Sequence, residues 1–72
     1  MTLARARELL ARQAAFGGGY QRNGARLVLA EVSSEHGQGA VDTLIRELGL
    51  EATFGFAPGT RFASTKPERR ET

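Results

Sequence analysis

The sequence predicts a small α+β protein: a two-layer sandwich in the order αββαββ, with one antiparallel sheet under two helices. Three observations predict it. Asn23-Gly24 leads into an apolar run at 27–30, residues 51–57 alternate between apolar and other side chains, and two further segments repeat apolar residues at helical spacing.

Thr2 reads as an N-cap for the first helix. At 100° per residue, Leu3, Ala6, Leu9, Leu10, Ala14 and Phe16 fall within one arc of about 160°, the face expected to be buried. Arg5, Glu8 and Arg12 lie outside that arc, with Glu8 and Arg12 in the favourable i, i+4 order. Gly17, Gly18 and Gly19 then end the helix, because glycine relieves the left-handed position that follows a helix and is costly inside one.

Asn-Gly before an apolar run is the signature of a two-residue type I′ hairpin. Such a turn sets Arg22 opposite Ala25, Gln21 opposite Arg26 and Tyr20 opposite Leu27, and puts the two arginines on opposite faces near the tip. Residues 27–30 are apolar on both faces, which makes theirs a central strand.

Ser33 to Gly39 reads as a polar loop, and Ala40, Val41, Leu44, Ile45 and Leu48 as the apolar face of a second helix. Gly49 stops that helix, with Leu50 placed for the hydrophobic contact that accompanies a glycine cap. Along 51–57, Ala52, Phe54 and Phe56 share one strand face and Glu51, Thr53 and Gly55 the other. Pro58-Gly59 is a turn, after which 60–63 return as a short edge strand. Residues 1–64 thus form a single α+β domain, and the charged segment 65–72 is expected to be disordered unless a partner binds it.

A chain of 72 residues with no cysteine and one histidine has a thin core and neither of the usual staples, disulfide or Cys/His metal cage. Association with a second copy or with another protein is the remaining staple. No signal-like segment follows the amino terminus and no stretch nears the roughly 18 apolar residues of a membrane span. The expected location is cytoplasmic, with no membrane contact.

Charge is sorted along the chain. Residues 1–26 hold five arginines against Glu8, residues 27–60 hold five acids against Arg46, and the last twelve residues are basic again. Such asymmetry points toward a polyanion or a self-complementary oligomer. Nine arginines to one lysine reflect either guanidinium chemistry or a GC-rich genome.

The inventory for catalysis is short. His36 follows Ser33, Ser34 and Glu35, but neighbours in a loop rarely face one another, and His36 with Glu35 supplies at most two metal ligands. Gly37 and Gly39 could introduce an anion-binding helix start, yet Asp42 stands where the third glycine of a phosphate loop belongs and Glu35 would repel the ligand. No catalytic residue, metal or cofactor is therefore expected.

Phe54-Gly55-Phe56 resembles the centre of the aromatic strand of RNA-recognition and cold-shock domains. The likeness covers three residues and lacks the preceding basic residue and glycine. If the rings faced RNA, the core side of the strand would hold only Thr53, Gly55 and Ala57, so both phenylalanines are assigned to the core.

The second helix would present Asp42, Thr43, Arg46 and Glu47, a poor match for phosphates. The basic half is the better candidate. Arg5 and Arg12 on the first helix, with Arg22 and Arg26 at the hairpin tip, would grip a backbone, and Gln21, Arg22 and Asn23 could reach base edges. The expectation is a non-catalytic nucleic-acid-binding or regulatory module. The alternative is a protein-interaction or inhibitor module, such as an accessory protein of a mobile element, that docks on a larger protein through its basic face or a sheet edge. The bland reading of the same arginines is pairing with Glu8 or with the acidic segment, at about 0 to 1 kcal/mol per exposed pair.

Overall fold

The computed structural model of the chain describes residues 1–62. It contains four helices, α1 (Leu3–Phe16), α2 (Gly18–His36), α3 (Gln38–Leu48) and α4 (Leu50–Phe54), and no strand among the described residues. The expected α+β sandwich is therefore corrected to an all-helical fold. The expected charged tail at 65–72 lies outside the described residues, as do the last two residues of the expected domain.

Helix α1 forms as its sequence implies. The Thr2 hydroxyl accepts from the Arg5 backbone N–H at 3.1 Å, and the Gly17 N–H donates to the Gln13 carbonyl at 2.9 Å at the other end. Ala6 and Leu10 are its fully buried residues. Phe16, assigned to the buried arc, is exposed at the last position of the helix.

The largest difference is α2, which runs through Asn23-Gly24 without a turn. Ala25, Val28, Leu29 and Val32 stand at i, i+3, i+4 and i+7, and all four are buried. That is a complete helical stripe, whereas pairing as strands would have placed half of the run away from α1. A glycine inside a helix costs about 1 kcal/mol relative to alanine. Burial of the stripe offsets this several times over, at about 1.5 to 3 kcal/mol for each fully buried valine or leucine.

Gly24 faces α1. A Cβ built on it would stand 2.7 Å from Gln13 Nε2, the far end of a flexible side chain of α1. Gln13 lies against Gly24 and Met1 against Glu35, which makes α1 and α2 an antiparallel pair.

The expected loop 33–39 shrinks to one residue. Gly37, at φ 92°, donates to the Ser33 carbonyl at 3.0 Å and turns the chain directly from α2 into α3. Only glycine takes that conformation without strain. Helix α3 buries Val41, Leu44 and Ile45 and ends at the left-handed Gly49, as its sequence implies. Leu50 follows and is fully buried.

The expected strand 51–57 is instead the one-turn helix α4 followed by irregular chain. Gly55 caps α4 with its N–H on the Glu51 carbonyl at 2.8 Å. Phe54 and Phe56 are both core residues, as the packing argument required, while Ala52 is exposed. Their rings lie 5.8 Å apart, and Phe62 meets Phe56 edge-on at 5.2 Å. Pro58-Gly59 makes the expected turn, with Thr60 N–H bonded to the Ala57 carbonyl at 3.1 Å and Gly59 at φ 91°, but Thr60 to Phe62 form no strand.

Helices α1, α2 and α3 thus pack around one apolar cluster to which α4 and the three phenylalanines also belong. Residues 55–62 form a strap, fastened to the bundle by side chains of α2 and α3. Asp42 Oδ1 accepts from the Gly59 N–H at 2.7 Å and from Gln38 Nε2 at 2.9 Å, and Gln38 Nε2 also donates to the Thr60 carbonyl at 2.9 Å.

Candidate interaction site

The hairpin tip that was to carry Gln21, Arg22, Asn23 and Arg26 does not exist, because these residues lie on the first turns of α2. Arg22 and Arg26, expected on opposite faces, stand one helical turn apart on the same side. Arg22 is committed within the fold. Its Nε donates to the Phe54 carbonyl at 3.0 Å, and its guanidinium sits 4.9 Å above the Phe56 ring. Gln21 is half-buried, while Asn23 and Arg26 are exposed.

On α1, Arg5 bonds Glu8 at 2.8 Å, one turn away. Glu8 was expected to pair with Arg12. Arg12 is exposed and makes no ion pair with a described residue, and the same holds for Arg26. Arg7, not among the candidates, reaches across to α3 and bonds Glu47 through Nη2 at 2.7 Å and Nε at 3.1 Å. Three of the six candidate residues therefore remain outward without a described ion-pair or ring partner: Arg12, Asn23 and Arg26.

At the other end of the α1–α2 pair, the Met1 ammonium lies 2.6 Å from Glu35 and 3.1 Å from Glu31. The hydrogen bond to Glu35, then that to Glu31, raises the ammonium above its usual pKa, and the same contact holds the Glu35 carboxyl below the usual carboxylate range. His36 Nε2 lies 3.0 Å from the Met1 carbonyl. Asp42 is held below its ordinary value, first by the Gly59 N–H and then by the Gln38 amide.

A second set of outward residues is apolar, and the sequence reading missed it. Phe16 is 75% exposed, Tyr20 86% and Leu27 51%, while fourteen other apolar residues are buried. Tyr20 and Leu27 are seven residues apart on α2 and so share one face, while Phe16 is the last residue of α1. Tyr20 and Leu27 fall off the buried stripe of Ala25, Val28, Leu29 and Val32, although Ala30, one turn beyond Leu27, is itself buried. Arg12 on α1 and Asn23 on α2 are exposed as well. The signal that could have found them is the helical period itself: with 20–32 read as a helix, Tyr20 and Leu27 fall off the buried stripe.

No helix of the described residues is long and apolar enough to cross a membrane, and no cluster of three or more potential metal ligands occurs among them. The class that the fold defines is a small glycine-jointed helical bundle. Comparison with protein-family models, with curated proteins and with solved structures gives no match for the chain.

Proposed function

We propose that this chain is a non-catalytic protein-docking module that presents the outer side of its α1–α2 pair. The observation that carries the reading is the exposure of Phe16, Tyr20 and Leu27 in a fold that buries fourteen other apolar residues. Aromatic residues and arginine are enriched at the centres of protein interfaces and dominate their energetics. A tyrosine left 86% exposed beside an exposed phenylalanine and Arg12 has that composition. The reading keeps the alternative drawn from the sequence, an accessory module that docks on a protein, and replaces the sheet edge with a two-helix face.

Site-specific photo-crosslinking tests it. A benzoylphenylalanine at position 20 or 27, in cells producing the full chain, is expected to give a discrete crosslinked protein product, while the same group at the exposed position 51 gives none. Equal products from all three positions, or none from any, would sink the proposal.

Nucleic-acid binding is the second reading, favoured by one observation. Between Glu8 and Glu31 the chain has Arg12, Arg22 and Arg26 and no acid, all on the half of the α1–α2 pair nearest its Gly17 joint. The magnitude decides its rank. Three phosphate contacts imply a log–log salt slope of only about −3, within the regime of weak, non-specific binding. A gel-shift series at two salt concentrations measures that slope, and binding of DNA or RNA that R12A and R26A weaken would raise this reading above the first.

A further inference from the structure

We infer that Asn23 is a site of spontaneous deamidation, closed while the first turns of α2 are wound and open when they unwind, with Arg22 as the tie that holds them. The substrate is the chain's own Asn23-Gly24 peptide and the co-reactant is water. Asn23 is the only asparagine in the chain, and it is exposed. The residue after it has no side chain to crowd the peptide nitrogen.

The reaction is an intramolecular acyl transfer with no change of oxidation state. The Gly24 backbone nitrogen attacks Asn23 Cγ and forms a five-membered imide. The Cγ–NH2 bond breaks, and the amide nitrogen leaves as ammonia with the proton the peptide nitrogen gave up. Water then adds to one of the two imide carbonyls and the C–N bond at that carbonyl breaks. The product is aspartate, or isoaspartate with the main chain running through Cβ and Cγ.

A wound α2 blocks the attack. The Gly24 N–H is directed along the helix at the Tyr20 carbonyl four residues back. A helical ψ of about −42° at Asn23 also keeps that nitrogen out of the plane in which the ring must close. Residues 18–24 must therefore unwind first, and their composition makes this cheap. Gly18, Gly19 and Gly24 are three of the first seven residues of α2, each costly in a helix, and the N-cap Gly17 offers no side-chain hydrogen bond. No residue from 18 to 24 is buried, whereas the buried stripe begins at Ala25 and keeps the rest of α2 packed. What opposes unwinding is Arg22, through its 3.0 Å bond to the Phe54 carbonyl and its place 4.9 Å above the Phe56 ring.

Either product puts a carboxylate into the stretch between Glu8 and Glu31 that holds no acid, and lowers the net charge of +2 by one. Aspartate keeps α2 intact, one turn from Arg26. Isoaspartate lengthens the main chain and interrupts the helical hydrogen bonds at that point, so that α2 then starts at its buried stripe.

The purified full chain, held in neutral buffer for weeks both folded and in urea, provides the test. Peptide mass spectrometry reads the change from amide to acid at Asn23, methylation by an isoaspartyl methyltransferase reads isoaspartate, and circular dichroism checks helix content. The folded chain is expected to convert more slowly than the unfolded one. Arg22→Ala should convert about 5- to 30-fold faster than wild type, the shift in opening that loss of one hydrogen bond and one ring contact produces. Gly19→Ala should convert about fivefold slower, because a Cβ at that helical position meets nothing and strengthens the first turn. Should Arg22→Ala lose helix content, Gly19→Ala decides alone. A folded chain that keeps Asn23 intact while the unfolded one converts completely overturns the inference, as do equal rates in wild type and Gly19→Ala. A wild-type rate that climbs with urea as steeply as the globally unfolded population also overturns it, since the opening is then not local.

Discussion

Gly24 of α2 faces Gln13 of α1 so closely that a methyl group on the glycine would stand 2.7 Å from the glutamine Nε2. The same glutamine leaves its Oε1 buried without a hydrogen-bond partner. The contact thus carries a local defect, and the atom in the way is the far end of a flexible side chain.

Gly24→Ala is therefore expected to stabilise the protein. Gln13 can swing its amide outward to solvent, and alanine gains up to about 1 kcal/mol of helix propensity. For a chain of this size that raises the melting temperature by up to about 4 to 8 °C. Gln13→Met, which removes the unpartnered oxygen, should stabilise in the same direction. Thermal melts followed by circular dichroism give the answer. A melting temperature lowered by Gly24→Ala is what a turn at Asn23-Gly24 would produce, since alanine resists the positive φ of a type I′ turn.

Arg22 ties α2 to the end of α4 through one hydrogen bond and to the strap through one ring. Arg22→Ala is expected to cost about 1 to 2 kcal/mol in urea unfolding, the sum of a modest cation–π contact and a charge-assisted hydrogen bond to a carbonyl. Arg22→Lys should recover only part of it, because an ammonium cannot hold both contacts in the geometry of the guanidinium plane. The Phe56 ring resonances are expected to shift in both variants. An Arg22→Ala protein of unchanged stability would show the contact to be energetically idle.

Asp42 makes the strap pH-sensitive. Its carboxylate, bonded to the Gly59 N–H and the Gln38 amide, is held below its ordinary value of 3.8 in the folded protein. A depressed folded-state pKa stabilises the fold above the unfolded value, and this contribution disappears as pH falls through the folded value. Wild type should thus exceed Asp42→Asn in stability at neutral pH, and the two should converge below about pH 4. Hydrogen exchange at the Gly59 and Thr60 amides reports the strap directly. A stability difference that stayed constant from pH 7 to pH 3 would contradict the assignment.

What could be read without the structure was local. Thr2 and Gly17 bound α1 because a hydroxyl cap and a glycine stop act within one turn of the residues that carry them. Gly49 and Leu50 end α3 for the same reason. Phe54 and Phe56 were assignable to the core by size alone, although the backbone that brings them there is a helix end and not a strand. Of the candidate interaction residues, Arg12, Asn23 and Arg26 are indeed outward, whereas Arg22 is held by the Phe54 carbonyl and the Phe56 ring, more than thirty residues away. No local rule reveals such a partner.

Sequence by itself determined two helices, their caps, the Pro58-Gly59 turn and the separation of basic from acidic segments. Tertiary structure decided the state of residues 20–36. Asn-Gly and two valines favour a hairpin locally, yet Ala25, Val28, Leu29 and Val32 also satisfy the helical period, and short apolar runs are ambiguous between the two. The helix prevails because it buries that whole stripe in the cluster shared with α1 and α3, several kilocalories per mole of long-range packing against about one for an interior glycine. The same choice turns Tyr20 and Leu27 outward, and with them the face on which the proposed function rests.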